Sequence, residues 1–546
     1  MRLFFDNKIT FIPLGGSDQI GMNLNLYGYK GKWVIIDLGM TFADDRYPGI
    51  DIVVPDISFL SDNLDSILGI FLTHAHEDHL GAIPYLWEKI GCEIYATKFT
   101  KTVLLKKLIN FGLDKDVIIN EVDYNKNIDI GPFDIEYGNI THSIPESSYI
   151  SISTDNNLVL HSGDWKFDNN PVIGDATNIN NLSKLGEMNV SALICDSTNI
   201  FNEGSSGSET DIVSNILKVI KECDGKVIIS TFASNIARIK TISNIAQTTN
   251  RKLVIIGKSL FRSIESAKEC GYLTDIPQIL NENQISSLNS NKIIIICTGC
   301  QGEHRAALNR ISLGNTSFDL NERDLVVLSS KMIPGNEKKI SRMINRFVRL
   351  GINVITEKNY DIHVSGHPSR DDLKKMYELI KPNTVIPIHG EASHLKAHKD
   401  FALESGIPSA LFIKNGDVIA IGSDKCKVIT NIKAGKLLLN GFDIIAEDSE
   451  VILNRLRIMN NGIIYINALF LSDLKEPKDI SVSSIGVINN HQKLENEIEV
   501  CLININYNKV NKKNTLDLLF RQSINRILRK VTDKRPLIQI NFRSIN

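Results

Sequence analysis

Residues 71–82 read FLTHAHEDHLGA: an apolar run ends, and three histidines and two carboxylates follow within the six positions from His74 to His79. In an extended segment alternate side chains project to one side, so His74 and His76 point the same way. Asp78 and His79 follow where the chain turns into a helix expected to begin near Leu80, so one short loop aims two ligand pairs in different directions. This is not the H-E-x-x-H helix, whose histidines lie one helical turn apart. Neutral imidazoles and a carboxylate are ordinary zinc ligands, and no thiolate is required. Further candidates arrive at the ends of strand-like runs: His142 in NITHSIPES, Asp164 in LVLHSGDWKFD and His389 in VIPIHGE. Asp37 closes VIIDLG, where it either orients a metal ligand from behind or forms a turn or cap.

The rest of the chain sets the frame. At roughly 150 residues per domain, 546 residues imply about three or four domains. With 42% apolar and 23% charged residues the composition is that of a globular protein, and a net charge of −2 provides no global field for nucleic acid. An anionic partner therefore needs locally concentrated basic groups. Eight cysteines are scattered, mostly within apolar runs, as expected of buried reduced thiols in a cytoplasmic protein. Cys297 and Cys300 match C-x-x-C but lack a second pair, which favours packing over zinc or redox chemistry. The opening MRLFFDNKIT is too short for a signal peptide, and no apolar run approaches the ~18 residues of a membrane span.

The first 200 residues alternate strand-length runs with turns, interrupted by helical GAIPYLWEKI and TKTVLLKKLINFG. From about Ser208 helices and strands alternate, which predicts a parallel sheet covered by helices. In the last hundred residues EVILNRLRIMNNGIIYINALF is expected as strands around an Asn-Gly turn, NEIEVCLININY as a further strand, and TLDLLFRQSINRILRKVTDKR as an amphipathic helix.

His-x-His-x-Asp-His followed by a distant His, Asp and His resembles the metallo-β-lactamase superfamily. Matched residue by residue, His74, His76 and His142 correspond to its first metal site, Asp78, His79 and His389 to the second, and Asp164 to the bridging carboxylate. A histidine at position 76 is similar to the zinc hydrolases, since the di-iron relatives carry a carboxylate there. About 225 residues separate Asp164 from His389, and this insertion resembles a β-CASP domain, with Asp196, His367 and His389 matching its motifs. GGSDQIGMN, THAHEDHLGAIPYL, THSIPES, SGDWKFD, DSTN, TFASN, CTGCQGE, IPGNE, HVSGH and PIHGE together resemble the bacterial ribonuclease J family from about residue 9 to 425. Cys300 departs from the family's usual serine.

The resemblance implies an α/β fold: an αββα metallo-β-lactamase sandwich with an inserted βαβα β-CASP domain and a small α+β C-terminal domain. The expected boundaries are 1–207 and 371–448 for the sandwich and linker, 208–370 for the insertion and 449–546 for the tail. It implies a zinc-dependent ribonuclease, endonucleolytic and 5′-to-3′ exonucleolytic, preferring a 5′ monophosphate, in mRNA decay and rRNA maturation. Two Zn2+ ions ~3.5–4 Å apart, with Mn2+ or Mg2+ as substitutes, would bind phosphodiester oxygens and acidify the attacking water. His367 is the implied general acid oriented by Asp196, and His363, Val364, Ser365, Gly366 and His367, with Ser234 and Asn235, the implied substrate contacts. Gly49, Asp51 and Asp443 match a structural Ca2+ position of some members, or are plain exposed turn residues. Expected partners are single-stranded RNA, mRNA and rRNA precursors, a homodimer or homotetramer and an RNA-degradation complex, with no membrane. Rival expectations are a tRNA 3′-end endonuclease, a small-ester hydrolase, or a catalytically weak RNA-binding assembly subunit of the same fold.

Overall fold

The computed structural model describes residues 7–333, 335–423, 425–471, 477–507 and 513–545. The first six residues of the opening segment and Pro334 of IPGNE lie outside these. Two compact units form, one from the chain up to residue 41 and from 54 to 435, the other from 42–53 and 436–546. Residues 42–53 thus group with the C-terminal module rather than with the first 207 residues.

In the larger unit, one sheet runs in the order Lys427–Asn431, Asp417–Ile421, Ile9–Gly15, Leu24–Tyr29, Lys32–Ile36, Ile67–Phe71, Ile94–Ala96, Ile119–Glu121. A second runs Ser409–Ala410, Thr384–Ile388, Ala192–Asp196, Leu158–His161, Ser148–Ser153, Phe133–Asn139, Asn127–Ile130. Side chains alternate across each strand, and the cores record it. Ile194, Ile386, Ile388 and Val159 face a shared core with Phe11, Tyr27, Val34, Ile36 and Phe71 of the first sheet. Their neighbours Leu193, Cys195, Val385, Leu158 and Leu160 face a different core. There they meet Leu182 of helix Ile179–Gly186, Met376 of helix Arg370–Ile380 and Phe401 of helix Ala392–Glu404. Two sheets with helices outside are the layered sandwich.

Between Asp196 and Thr384 the chain builds a third sheet, in the order Ile279–Leu280, Lys252–Ile256, Ile293–Cys297, Val227–Ser230, Leu325–Leu328, Asn353–Thr356. Every pairing in it is parallel, as the βαβα rhythm requires. Cys297 and Cys300 are free and buried, and burial pushes the Cys300 thiol up to about 12, consistent with packing.

The C-terminal unit corrects two expectations. Glu450–Asn461 is a helix, not a strand, and Gly462 (φ 82°) ends it where a hairpin turn was expected, before strand Ile463–Leu471. His491–Ile503 is also helical, and Leu494, Ile498 and Leu502 bury at four-residue spacing. Their β-branched neighbours suggested a strand, but the packing period decides. Strand Ile463–Leu471 pairs antiparallel with Pro477–Ile485 and parallel with Leu537–Ile545. The expected amphipathic helix spans Lys513–Val531, with Leu516, Phe520 and Ile524 in the core. Among the described residues no helix is long and apolar enough to cross a membrane.

Ile194 is fully buried between the two sheets. Ile194→Ala is expected to cost about 2–5 kcal/mol, read as a lower urea midpoint of unfolding with an unchanged far-ultraviolet circular dichroism spectrum before the transition.

Candidate metal centre

Every residue of the cluster leaves a strand at its C-terminal end, where open sheets collect their sites. Strand Ile67–Phe71 delivers His74 and His76, and the four-residue helix Glu77–Leu80 carries Asp78 and His79. Strand Phe133–Asn139 leads to His142, Leu158–His161 to Asp164, Ala192–Asp196 ends on Asp196, and Thr384–Ile388 leads to His389. The last three of these strands are parallel neighbours, which brings residues some 225 positions apart to one rim.

The histidine loop is laced to the turn after strand Lys32–Ile36. Leu38 N–H donates to His79 O (2.7 Å), Met40 N–H to Glu77 O (3.0 Å) and Asn23 N–H to Asp78 O (2.9 Å). Gly39 allows this approach, because a Cβ there would lie 1.7 Å from Asp78 O.

Three groups of ligand atoms, each within 4.8 Å, share Asp164: His74, His76, His142 and Asp164; Asp78, His79, Asp164 and His389; and Asp164, Asp196, His367 and His389. His74 Nε2 lies 2.9 Å and His142 Nε2 3.2 Å from His76 Nδ1. Asp164 Oδ2 is 3.8 Å from His74 Nε2, 4.0 Å from His142 Nε2 and 3.3 Å from His79 Nε2. His389 Nε2 is 3.2 Å from Asp78 Oδ2.

Partners behind the rings decide where protons sit. His79 Nδ1 meets Asp37 Oδ2 at 2.7 Å, and Asp37 also accepts from Thr73 N–H and Thr73 Oγ1 at 2.8 Å each. Burial pushes the Asp37 carboxyl up; the three donors around it still place the shared proton on the imidazole. His142 Nδ1 donates to Gly366 O (2.6 Å), and His389 Nδ1 to Thr198 Oγ1 (2.7 Å), whose hydroxyl donates on to Asp196 Oδ1 (2.7 Å). His74 Nδ1 lies 3.0 Å from Thr73 Oγ1, which already donates to Asp37. With these partners behind them, His74, His79, His142 and His389 all turn Nε2 inward, toward another ring nitrogen or a carboxylate.

Two unprotonated ring nitrogens at 2.9–3.2 Å repel unless a proton or a cation lies between them, whereas a charged His79 or His389 donates Nε2–H to its carboxylate at 3.2–3.3 Å. Burial keeps His74 and His142 well below the ordinary histidine value and lowers His76 to about 4, so these rings are neutral ligands. Burial also disfavours charge on His79 and His389, but Asp164 and the neighbouring carboxylates outweigh it and raise both. Ligand nitrogens around a tetrahedral zinc lie about 3.3 Å apart, close to the spacings here. The donor set fits divalent cations.

Beside these groups His367 Nδ1 donates to Asp196 Oδ2 at 2.7 Å. Burial disfavours the imidazolium, yet Asp196 and Asp164 outweigh it and raise His367. Val364, Ser365, Gly366 and Asn235 line a small cleft with His142, Lys166 and Asp168. The fit is close: a Cβ on Gly366 would lie 2.6 Å from His142 Cε1. Asn235 Oδ1 caps the helix Ile236–Thr248 through Arg238 N–H (2.9 Å). Ser234 is partly exposed and does not line the cleft. His363 is not among the residues that line it; its Nδ1 is buried and unpartnered beside the charges of Arg238, Lys331 and Lys166. Gly49, Asp51 and Asp443 are exposed, and the Arg455 guanidinium reaches Pro48 O (3.2 Å) next to Gly49. Among the described residues the clusters able to hold a cation all include Asp164. Sequence reasoning passed over Asn23, Thr73, Thr198 and Lys166; only the motifs they sit in hinted at them.

Fold and donor set define a metal-dependent hydrolase of the metallo-β-lactamase class. Family models agree: the metallo-beta-lactamase superfamily matches residues 23–193, the beta-CASP domain of ribonuclease J 224–347, and the Zn-dependent metallo-hydrolase RNA specificity domain 351–411. Ribonuclease J of Sinorhizobium meliloti is 38% identical, covering 80% of this chain and 78% of its own length. Ribonuclease J of Helicobacter pylori strain 26695 is 32% identical over 98% of this chain and 80% of its own. Ribonuclease J 1 of Streptococcus pyogenes is 34% identical over 84% and 82%. A crystal structure of a protein of unknown function from Enterococcus faecalis shares the fold at TM-score 0.52 and 16% identity, over 76% of this chain and all of that one. The chain belongs to the ribonuclease J family and is a metal-dependent RNA nuclease.

Asp37→Asn removes the carboxylate that fixes the His79 tautomer. Metal affinity is expected to fall about 10–100-fold, measured by competition with a fluorescent chelator.

Proposed function

We propose that this chain hydrolyses RNA both internally and from the 5′ end, prefers a 5′ monophosphate, and serves mRNA decay and rRNA maturation in the cytoplasm as a homodimer or homotetramer. The observation that supports it best is the adjacency of the His367–Asp196 pair to the ligand cluster on one side and the Val364–Gly366 cleft on the other. Two zinc ions, with manganese or magnesium as substitutes, would be held by His74, His76, His142 and Asp164 and by Asp78, His79, His389 and Asp164, and supply Lewis-acid charge and an acidified water.

The protein's own groups do the rest. His367 keeps its Nδ1–H on Asp196, which leaves Nε2 to carry a proton to the departing ribose oxygen. Asp196 and Asp164 favour the imidazolium, so the acid is charged before the bond breaks. Asn199 Nδ2 holds the loop, donating to Ser365 Oγ (2.7 Å) and His367 O (3.1 Å). In the cleft, backbone N–H groups of 364–366 suit one terminal phosphate, with the Lys166 ammonium, paired with Asp168 (3.1 Å) and Gly207 O (2.9 Å), beside it. A triphosphate is bulkier and more charged than so small a cleft accepts.

RNAs of one sequence with 5′ monophosphate, triphosphate or hydroxyl ends, incubated with and without chelator, test this. Mononucleotide release is expected mainly from the monophosphate form and is expected to stop with chelator; unchanged RNA with metal-loaded protein would favour the weak assembly subunit. His76→Ala is expected to lose metal, whereas His367→Ala keeps it and slows cleavage about 10²–10⁴-fold. Equal metal loss in both contradicts the division of labour.

A further inference from the structure

The turn after strand Ala192–Asp196 is pinned at each step up to Ile200. Thr198 Oγ1 bridges His389 and Asp196 (2.7 Å each). Asn199 holds Ser365 and His367 O, and its Oδ1 accepts from Lys331 Nζ (3.1 Å). Arg370 Nε donates to Ile200 O (3.0 Å). The next side chain, Phe201, is 55% exposed. A large ring held in water on so rigid a backbone has lost its freedom without gaining burial.

Phe201 has one ring neighbour among the described residues, His394 in the first turn of helix Ala392–Glu404, with centroids 5.0 Å apart and planes 59° apart. His394 stands against the residue after the ligand His389: a Cβ on Gly390 would lie 2.8 Å from His394 Cβ and 3.2 Å from Ser197 Cβ. Lys331, Glu391 and Asp196 are close enough for their charges to act on it. His142, from the first ligand group, lines the phosphate cleft, and His394 packs against Gly390, the residue after the ligand His389.

We infer that Phe201, supported by His394, is a stacking platform for one nucleobase of the RNA strand beside the metal centre. The inference rests on the ribonuclease reading and adds a substrate-binding contact to it. Every base has a π face, so such a contact grips without selecting sequence. Lys331, anchored on Asn199, supplies the cation next to the strand's phosphates. Stacking holds the chain in register while the 5′ nucleotide leaves, which suits stepwise trimming.

The test uses metal-loaded full-length protein and a 5′-monophosphorylated RNA ten nucleotides long, together with versions carrying one abasic site at each successive position. Phe201→Ala is expected to raise KM roughly tenfold, the size of one lost stack, with kcat and metal content little changed. One abasic position is expected to cost the wild type a similar factor and the variant nothing further. Phe201→Trp is expected to restore KM, and its indole fluorescence to be quenched by intact RNA but not by that abasic form. An unchanged KM in Phe201→Ala, an abasic penalty equal in both proteins, or equal quenching by intact and abasic RNA overturns the platform. Quenching reports the stack whether or not cleavage follows, so absent cleavage with base-dependent quenching fails the ribonuclease reading alone.

Discussion

The crowding of buried ring nitrogens and carboxylates is the constraint on which this structure turns. Neutral rings press their nitrogens to 2.9–3.2 Å, and charged rings and carboxylates meet at 3.2–3.3 Å, inside a buried rim. Folding alone does not favour such an arrangement: desolvation penalises each charge and each ring nitrogen left without a proton to accept. A divalent cation converts the same contacts into ligand bonds. The fold is thus coupled to its metal, since a rim that is costly when bare becomes stabilising when filled.

The supporting layer is as specific as the ligands. Asp37, Thr198 and the Gly366 carbonyl each take one ring N–H and so fix which nitrogen faces inward. Gly366 belongs to the stretch proposed to hold substrate, and Thr198 sits in the turn that positions His367 through Asn199. Substrate loop, acid and ligands share backbone, so a shift in one is felt by the others. The buried Arg238 extends this network, reaching Glu209, Ser329 and Ile362 O just before the loop begins.

The C-terminal unit shows where pattern reading fails. ILNRLRIMNNGII combines β-favouring side chains with an Asn-Gly pair, and both suggest a hairpin. Gly462 instead serves as a helix stop at positive φ, a role that uses the same residue for the same freedom. In NEIEVCLININY the isoleucines and valine drew attention from the four-residue spacing of Leu494, Ile498 and Leu502. Local propensity was overruled by which residues found a core.

What the sequence determined by itself is the inventory and the rhythm. Ligand types, their order, the run of strands ending in polar clusters and the parallel βαβα insertion are all local, and local chemistry reads them. Tertiary structure alone decided which imidazole nitrogen faces inward and that Asp37 stands behind His79 rather than capping a turn. Such outcomes depend on partners from distant parts of the chain, such as Gly366 for His142. A proton's position is set by the group it meets in space, and sequence spacing carries no record of that meeting.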